Sequence, residues 1–247
     1  MNRYPVNIQW IPGLPEIPYR NGVGAYEGVV LHYTDTPNDS AASEAAYESR
    51  TYLSAFVHEF IDPIEIIQVA NPDFIAYGAG YEANQRFVHL ELCSAQTLEE
   101  FNRSFDMWCE RAAEYLAARG LGVSKAQPDG SGTLWSHADV TRYLGGTTHT
   151  DPIAYLTLWG KTWQDAVDRV SQYYNWLMQL KGGNAMDKKT PYSDVEAGRW
   201  SENAIAVISN MGFMSGYGDG TFRPAQPLTR EEFAVVLNNL IYWIEHR

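Results

Sequence analysis

Along the first 180 residues, short apolar segments of β type alternate with longer segments of helical period, and two of the β segments stop on a histidine. Residues 26–32 are apolar and β-branched up to His32, and residues 134–137 end in the same way at His137. Residues 60–62 and 64–69 read as two short strands around Asp62-Pro63, and residues 87–92 as another strand. Between these lie an Ala-rich helical stretch at 39–53 and a long helix opened by a Thr97/Glu100 capping box. On that helix Phe101, Phe105, Trp108, Ala112 and Tyr115 share one face, and Gly120 is placed to end it. Trp163, Val167, Val170, Tyr174 and Leu177 mark one more amphipathic helix. Strands interleaved with helices restrict the first part of the chain to an α/β or α+β layer structure.

Residues 181–190 are polar and Gly-containing and read as a linker, which sets a first domain at 1–180 and a small second one at 191–247. The second carries two apolar stripes of helical spacing, Trp200, Ala204, Val207, Ile208 and Met211, then Phe233, Val236, Leu237, Leu240 and Ile244. A turn-rich loop at 216–222 joins them, and Thr229 with Glu232 caps the second helix. The expectation is a small all-α helix-loop-helix module.

The net charge of -12, with no stripe of Lys and Arg, excludes a nucleic-acid partner. No run approaches the roughly 20 apolar residues of a membrane span. Cys93 and Cys109 read as buried thiols, and a disulfide between them is not decided by sequence. The Pro-rich N-terminal stretch lacks an apolar core of signal-peptide length, so the chain is expected to start in the cytoplasm or to leave it by another route.

Histidines at strand ends suit a metal, because the backbone holds them rigidly. Catalytic zinc takes three N, O or S ligands and leaves one position open. With His32 and His137 as two of these, the third is expected within His149-Thr150-Asp151-Pro152. Asp151 also reads as a helix N-cap before Pro152, a role compatible with ligation. Glu91 interrupts an apolar strand; it is either an exposed edge-strand residue or a general base. His89 shares its face and is read as filling space there.

These residues match a family. Gly28-Val29-Val30-Leu31-His32-Tyr33-Thr34, the strand around Glu91, Trp135-Ser136-His137-Ala138-Asp139-Val140 and His149-Thr150-Asp151-Pro152 resemble the zinc amidases of the phage-lysozyme and peptidoglycan-recognition type. The resemblance spans residues 20–160 and implies a mixed central sheet flanked by helices. It implies an N-acetylmuramoyl-L-alanine amidase that cuts peptidoglycan between the lactyl group and the stem peptide. Carried over by position, His32, His137 and Asp151 would hold Zn2+, Glu91 would activate water, and His149 would stabilise the developing oxyanion. The alternative is a non-catalytic peptidoglycan receptor. There are departures: Gly78 stands where relatives have histidine, His89 where glycine is usual, and Phe56-Val57-His58-Glu59 replaces a more aromatic version.

The tail resembles one S-layer homology repeat, through Tyr192-Ser193-Asp194-Val195, the loop at 216–224 and Leu228-Thr229-Arg230-Glu231-Glu232-Phe233. That resemblance implies binding to a secondary cell-wall polymer, with Trp200, Asp219, Gly220 and Arg230 as contacts, and self-association through the lone repeat. A wall-cutting domain without a signal peptide resembles an endolysin, which passes from host cytoplasm to wall once the membrane is permeabilised.

Overall fold

The computed structural model describes residues 4–181 and 190–245. The chain separates into two compact units, Met1–Leu177 and Met178–Arg247. The proposed linker at 181–190 falls, apart from its two ends, outside the described residues.

In the first unit the described strands are β1 (Val6–Ile8), β2 (Gly28–Tyr33), β3 (Glu59–Ile61), β4 (Ile66–Gln68), β5 (Phe87–Leu92) and β6 (Leu134–Ser136). They form one mixed sheet in the order β1-β4-β3-β5-β2-β6. The β3–β4 hairpin is antiparallel, while β2 pairs parallel with β5 on one side and with β6 on the other. The helices are the single turns α1 (Tyr19–Gly22) and α3 (Tyr81–Asn84), then α2 (Ala41–Thr51), α4 (Leu98–Arg119), α5 (His137–Tyr143), α6 (Ile153–Leu158) and α7 (Trp163–Lys181).

The alternation along β2 and β5 decides what covers each face. Val29, Leu31, Val88, Leu90 and Leu92 pack against the apolar side of α4 and against Val167 and Val170 of α7. Both cysteines are buried and free, Cys109 in that layer and Cys93 in the other. On the opposite face Phe60 and Ile67 meet Ala41 and Ala45 of α2, while Val30, Phe87 and Trp135 meet Val140 of α5. Helix α4 starts on the expected Thr97/Glu100 capping box and ends at Gly120, whose φ of 64° is the left-handed conformation that glycine adopts without strain.

A carboxylate lies within the α4 layer. Glu59 on β3 is fully buried and accepts hydrogen bonds from Arg111 Nε (2.9 Å), Gln68 Nε2 (2.9 Å) and the Tyr115 hydroxyl. These donors keep the charge paired in a place where an isolated carboxylate would not survive.

Three local expectations are corrected. Glu91 is not on an edge, because β5 lies between β3 and β2. His137 is not the end of a strand but the first residue of α5: Ser136 accepts from Asp139 N–H, Asp139 accepts from Ser136 N–H, and the strand turns directly into a helix. Asp151 does not cap α6, since Pro152 occupies the N-cap position and the aspartate side chain is turned elsewhere.

The second unit holds α8 (Glu202–Asn210) and α9 (Arg230–Glu245), and its small core of Val195, Ile205 and Phe222 packs with Tyr192, Ile208 and Met214. The loop between the helices is pinned from outside. Asp194 accepts from the Phe222 and Arg223 N–H groups (both 2.7 Å), and Tyr192 Oη accepts from Gly216 N–H (2.9 Å). A Cβ on Gly216 would fall 2.3 Å from the Tyr192 ring, so only glycine fits there. The expected first stripe is shorter than drawn: Trp200 precedes α8 and is 91% exposed. Phe233, Leu237 and Leu240 of the second stripe are also exposed, because a unit this small has too little chain to cover both.

Candidate metal centre

Parallel register brings the site together. Leu31 pairs with Ser136 and His32 with Glu91, so the C-terminal ends of β2, β5 and β6 lie side by side. His32 extends from the end of β2, and His137 sits one residue past β6 on the first turn of α5. Asp151 arrives from the loop before α6 and is fastened to the sheet, accepting from Tyr33 N–H through Oδ2 (3.1 Å).

The three side chains converge. His32 Nδ1 lies 3.0 Å from His137 Nδ1, Asp151 Oδ1 is 3.1 Å from His137 Nδ1, and Asp151 Oδ2 is 3.5 Å from His32 Nδ1. One ligand atom from each falls within 4.8 Å of the others. The outer nitrogens of both rings are already engaged, His32 Nε2 with His89 Nδ1 (2.9 Å) and His137 Nε2 with Thr147 Oγ1 (2.9 Å). With each Nε2–H donating outward, both Nδ1 lone pairs point inward beside a carboxylate. Such an arrangement is repulsive by itself and complementary to a cation, and it is the way metal-binding histidines are commonly held from behind.

The charge states agree with this. Burial holds His32 down to about 4, against the pull of Asp151, so its imidazole is neutral near pH 7. Burial opposes ionisation of Asp151, yet its closeness to His137 and His32 outweighs that and holds the carboxyl well below the usual range. Two imidazoles and a carboxylate form a donor set suited to zinc.

Glu91 opens on the same groove, a cleft of about 890 Å³ that also takes in His137, His149 and Asp151. Its Oε2 is sealed from solvent and has no hydrogen-bond partner. Burial first, then the charges of Asp151, Glu48 and Glu44, push this carboxyl well above the carboxylate range. His149 stacks on His137 with ring centroids 4.9 Å apart, and its side chain is 70% exposed to the groove.

His89 does more than fill space beside Glu91. It is fully buried, and its Nδ1 meets His32 from behind. A Cβ on Gly78 would come within 2.9 Å of the His89 ring, so the two departures at positions 78 and 89 are one exchange across a single contact. His58 supports the same strand, its Nδ1 accepting from the His89 N–H (2.9 Å). Sequence reasoning missed Thr147, whose contact with His137 depends on the fold of a Gly-rich loop. It also missed Glu48, although its spacing from Ala41 and Ala45 placed an acid on the buried face of α2.

The polymer-contact candidates of the second unit are placed differently from one another. Trp200 and Arg230 are exposed. Asp219 is spent inside its loop, accepting from the Thr221 N–H and hydroxyl and from Arg223 (2.7 Å), and Gly220 supplies a positive φ there.

Comparison with known proteins places both units. Residues 23–154 match the family described as N-acetylmuramoyl-L-alanine amidase, and residues 191–234 match the S-layer homology domain. The chain is 44% identical to Protein Ami of Listeria monocytogenes over 160 residues, which is 65% of this chain and 17% of that protein. It is 35% identical to the bifunctional autolysin of Staphylococcus epidermidis over 202 residues, 80% of this chain and 15% of that one. The chain therefore spans less than a fifth of the length of either relative. Among solved structures, the Staphylococcus aureus hydrolase AmiA, in complex with its ligand, superposes with a TM-score of 0.68 at 34% identity, covering 73% of this chain and 87% of that one. The catalytic domain of XlyA, at a TM-score of 0.50 and 15% identity over 67% of this chain and 99% of that one, shares the fold. Together with the sheet and the histidine-aspartate cluster, these matches mean that the chain belongs to the N-acetylmuramoyl-L-alanine amidase family and carries an S-layer homology domain behind the amidase unit.

Proposed function

We propose that this chain is a zinc-dependent hydrolase that cleaves peptidoglycan at the amide between the N-acetylmuramic acid lactyl group and L-alanine of the stem peptide. The observation that carries the reading is the convergence of His32 Nδ1, His137 Nδ1 and Asp151 within 4.8 Å, on rings whose outer nitrogens are already bonded. His32, His137 and Asp151 would hold zinc, which as a Lewis acid supplies carbonyl polarisation and makes water a competent nucleophile near neutral pH. Family membership and the relation to autolysins support the substrate class.

Glu91 is the proton carrier. Its carboxylate, which lines the groove, accepts the proton of the attacking water and returns it to the nitrogen as the C–N bond breaks. The raised affinity of this carboxyl for a proton favours the return step, and a divalent charge held by the neighbouring triad would oppose that shift. His149, exposed on the groove and stacked against His137, donates an N–H to the oxygen on which negative charge develops. A non-catalytic receptor would have no use for Asp151 turned onto the two imidazoles.

The second unit would retain the enzyme on a secondary cell-wall polymer. Trp200 and Arg230 present an aromatic face and a guanidinium, which suits an acidic sugar, while Asp219 and Gly220 shape the loop. The exposed Phe233, Leu237 and Leu240 support self-association. Deleting residues 190–247 is expected to lower retention on whole walls and to spare hydrolysis of soluble fragments. Its route to the wall is proposed as that of an endolysin; recovery of the chain from walls of intact growing cells would replace that route with export.

Mass spectrometry of digested walls tests the reaction. The wild type should release peptides with a free N-terminal L-alanine and leave the lactyl sugar intact. Glu91→Gln should bind walls and release none. Release at the wild-type rate by that variant would remove Glu91 from the mechanism.

A further inference from the structure

Gly78 and Gly80 lie two residues apart in the turn before α3, and each is pressed against a different support of the metal centre. On one side, the His89 ring takes the space of a Gly78 side chain, and His89 Nδ1 meets His32 Nε2 at 2.9 Å. On the other, a Cβ on Gly80 would fall 2.8 Å from the Gly146 carbonyl oxygen and 2.9 Å from its carbon. That contact is backbone against backbone, so no side chain can swing aside to relieve it. Gly146 directly precedes Thr147, whose Oγ1 holds His137 Nε2 at 2.9 Å. The loop is tied down on both sides of Thr147: Gly145 N–H donates to the Val140 carbonyl (2.9 Å), and the His149 carbonyl accepts from Thr141 Oγ1 (2.6 Å).

Asn84, the last residue of α3, fixes the two glycines. Its Oδ1 accepts from the N–H groups of Gly78 (3.0 Å) and Ala79 (2.9 Å), and its own N–H donates to the Gly80 carbonyl (2.9 Å). One residue thus bonds Gly78, Ala79 and Gly80 in succession. Ala79 and Ala83 pack with Val30 of β2 and Val140 of α5, the elements that carry His32 and His137. Resting on the zinc reading of the centre, we infer that Asn84 is a positioning residue for both imidazoles. It sets Gly78 and Gly80, and these carry its position to His89 behind His32 and to Thr147 behind His137. Without a Cβ the backbone approaches each neighbour so closely that a shift of the segment moves the neighbour too.

The two arms separate by substitution. Gly78→Ala acts on the His32 arm, Gly80→Ala on the His137 arm, and Asn84→Leu, similar in size but without the acceptor, releases both. The test uses the zinc-loaded full chain: isotope-edited proton NMR reads the ring N–H of His32 and His137, and competition with a chromophoric chelator reads zinc affinity. Gly80→Ala should shift the His137 ring N–H and leave that of His32 in place, and Gly78→Ala should do the reverse. Asn84→Leu should move both and weaken zinc binding by about 10-fold. Asn84→Asp, which keeps an oxygen for the Gly78 and Ala79 N–H groups, should stay within about twofold of the wild type. Gly122→Ala controls for destabilisation alone, since it carries the same left-handed strain (φ 73°) with no atom within 4 Å of the new Cβ among the described residues. Unmoved ring N–H signals in Asn84→Leu, or a loss of zinc affinity no greater than in Gly122→Ala, overturns the positioning role and leaves the zinc centre intact. Should Asn84→Leu not fold, an unmoved His137 signal in Gly80→Ala overturns it instead. A wild type that takes up no stoichiometric zinc overturns the zinc reading, and the positioning role with it.

Discussion

Thr147→Val examines the metal centre without touching a ligand. Thr147 Oγ1 holds His137 Nε2 at 2.9 Å and also accepts from the His149 N–H at 3.4 Å. Valine keeps the shape and removes the hydroxyl. His137 is almost fully buried, so its outer N–H loses a partner that solvent replaces only in part. A net hydrogen bond is worth about 1 kcal/mol, and stranding a buried donor costs about 1–3 kcal/mol more. Thr147 itself is half-exposed, which lets water recover some of this and places the expected loss near 1.5 kcal/mol, about tenfold in zinc affinity. That agrees with the range of about 10- to 100-fold found when partners behind metal-binding histidines are removed. Competition with a chromophoric chelator measures the affinity, and Thr148→Val, a change to an exposed neighbour, serves as the control. If Thr147→Val binds zinc within twofold of the wild type, the outer nitrogen of His137 is not what orients it, and the inward-facing lone pairs lose their basis.

Other consequences are open to measurement. His89→Ala should lower zinc affinity by about 10-fold or more, because it frees the Nε2 of His32, and chelator competition reads this directly. Gly78→Ala should destabilise the fold by about 1–3 kcal/mol through its 2.9 Å approach to the His89 ring, and a His89→Gly background should relieve most of that in urea denaturation. Arg111→Met should cost about 3–5 kcal/mol by leaving Glu59 buried without its cation, whereas adding Glu59→Gln should recover much of the loss. The folded-state pKa of Glu48, about 8 against an ordinary 4.5, means that the folded chain binds the extra proton between those values; this contribution to stability is complete below about pH 4.5 and is lost as pH rises through about 8. Glu48→Gln should therefore flatten the fall in Tm between pH 5 and pH 9, and an unchanged slope would place the titration elsewhere.

The parts of this molecule that could be read from sequence are those written in local periodicity or in short motifs. The α4 helix, from its Thr97/Glu100 cap to Gly120, and the hairpin at Asp62-Pro63 follow from nearest-neighbour chemistry. His32, His137 and Asp151 were visible as a set because the motifs around them occur in family order. The start of α5 at His137 was also present, in the Ser136/Asp139 pair, but the strand pattern at 134–136 obscured it. What sequence does not carry is which nitrogen of a ring faces inward. That depends on Thr147 and His89, residues 10 and 57 positions away from the rings they hold. The Glu59–Arg111 pair is 52 residues apart and has no local signature. An acid in a helix such as Glu48 looks like a solvated residue until the sheet beneath it is known.

Anomalous diffraction at the zinc absorption edge, from crystals of the full chain grown with zinc, addresses the central claim most directly. A single strong peak is expected among His32 Nδ1, His137 Nδ1 and the Asp151 carboxylate, and it should vanish in Asp151→Ala. A peak at other residues, or none at this triad in crystals whose protein still cleaves cell walls, would contradict the account.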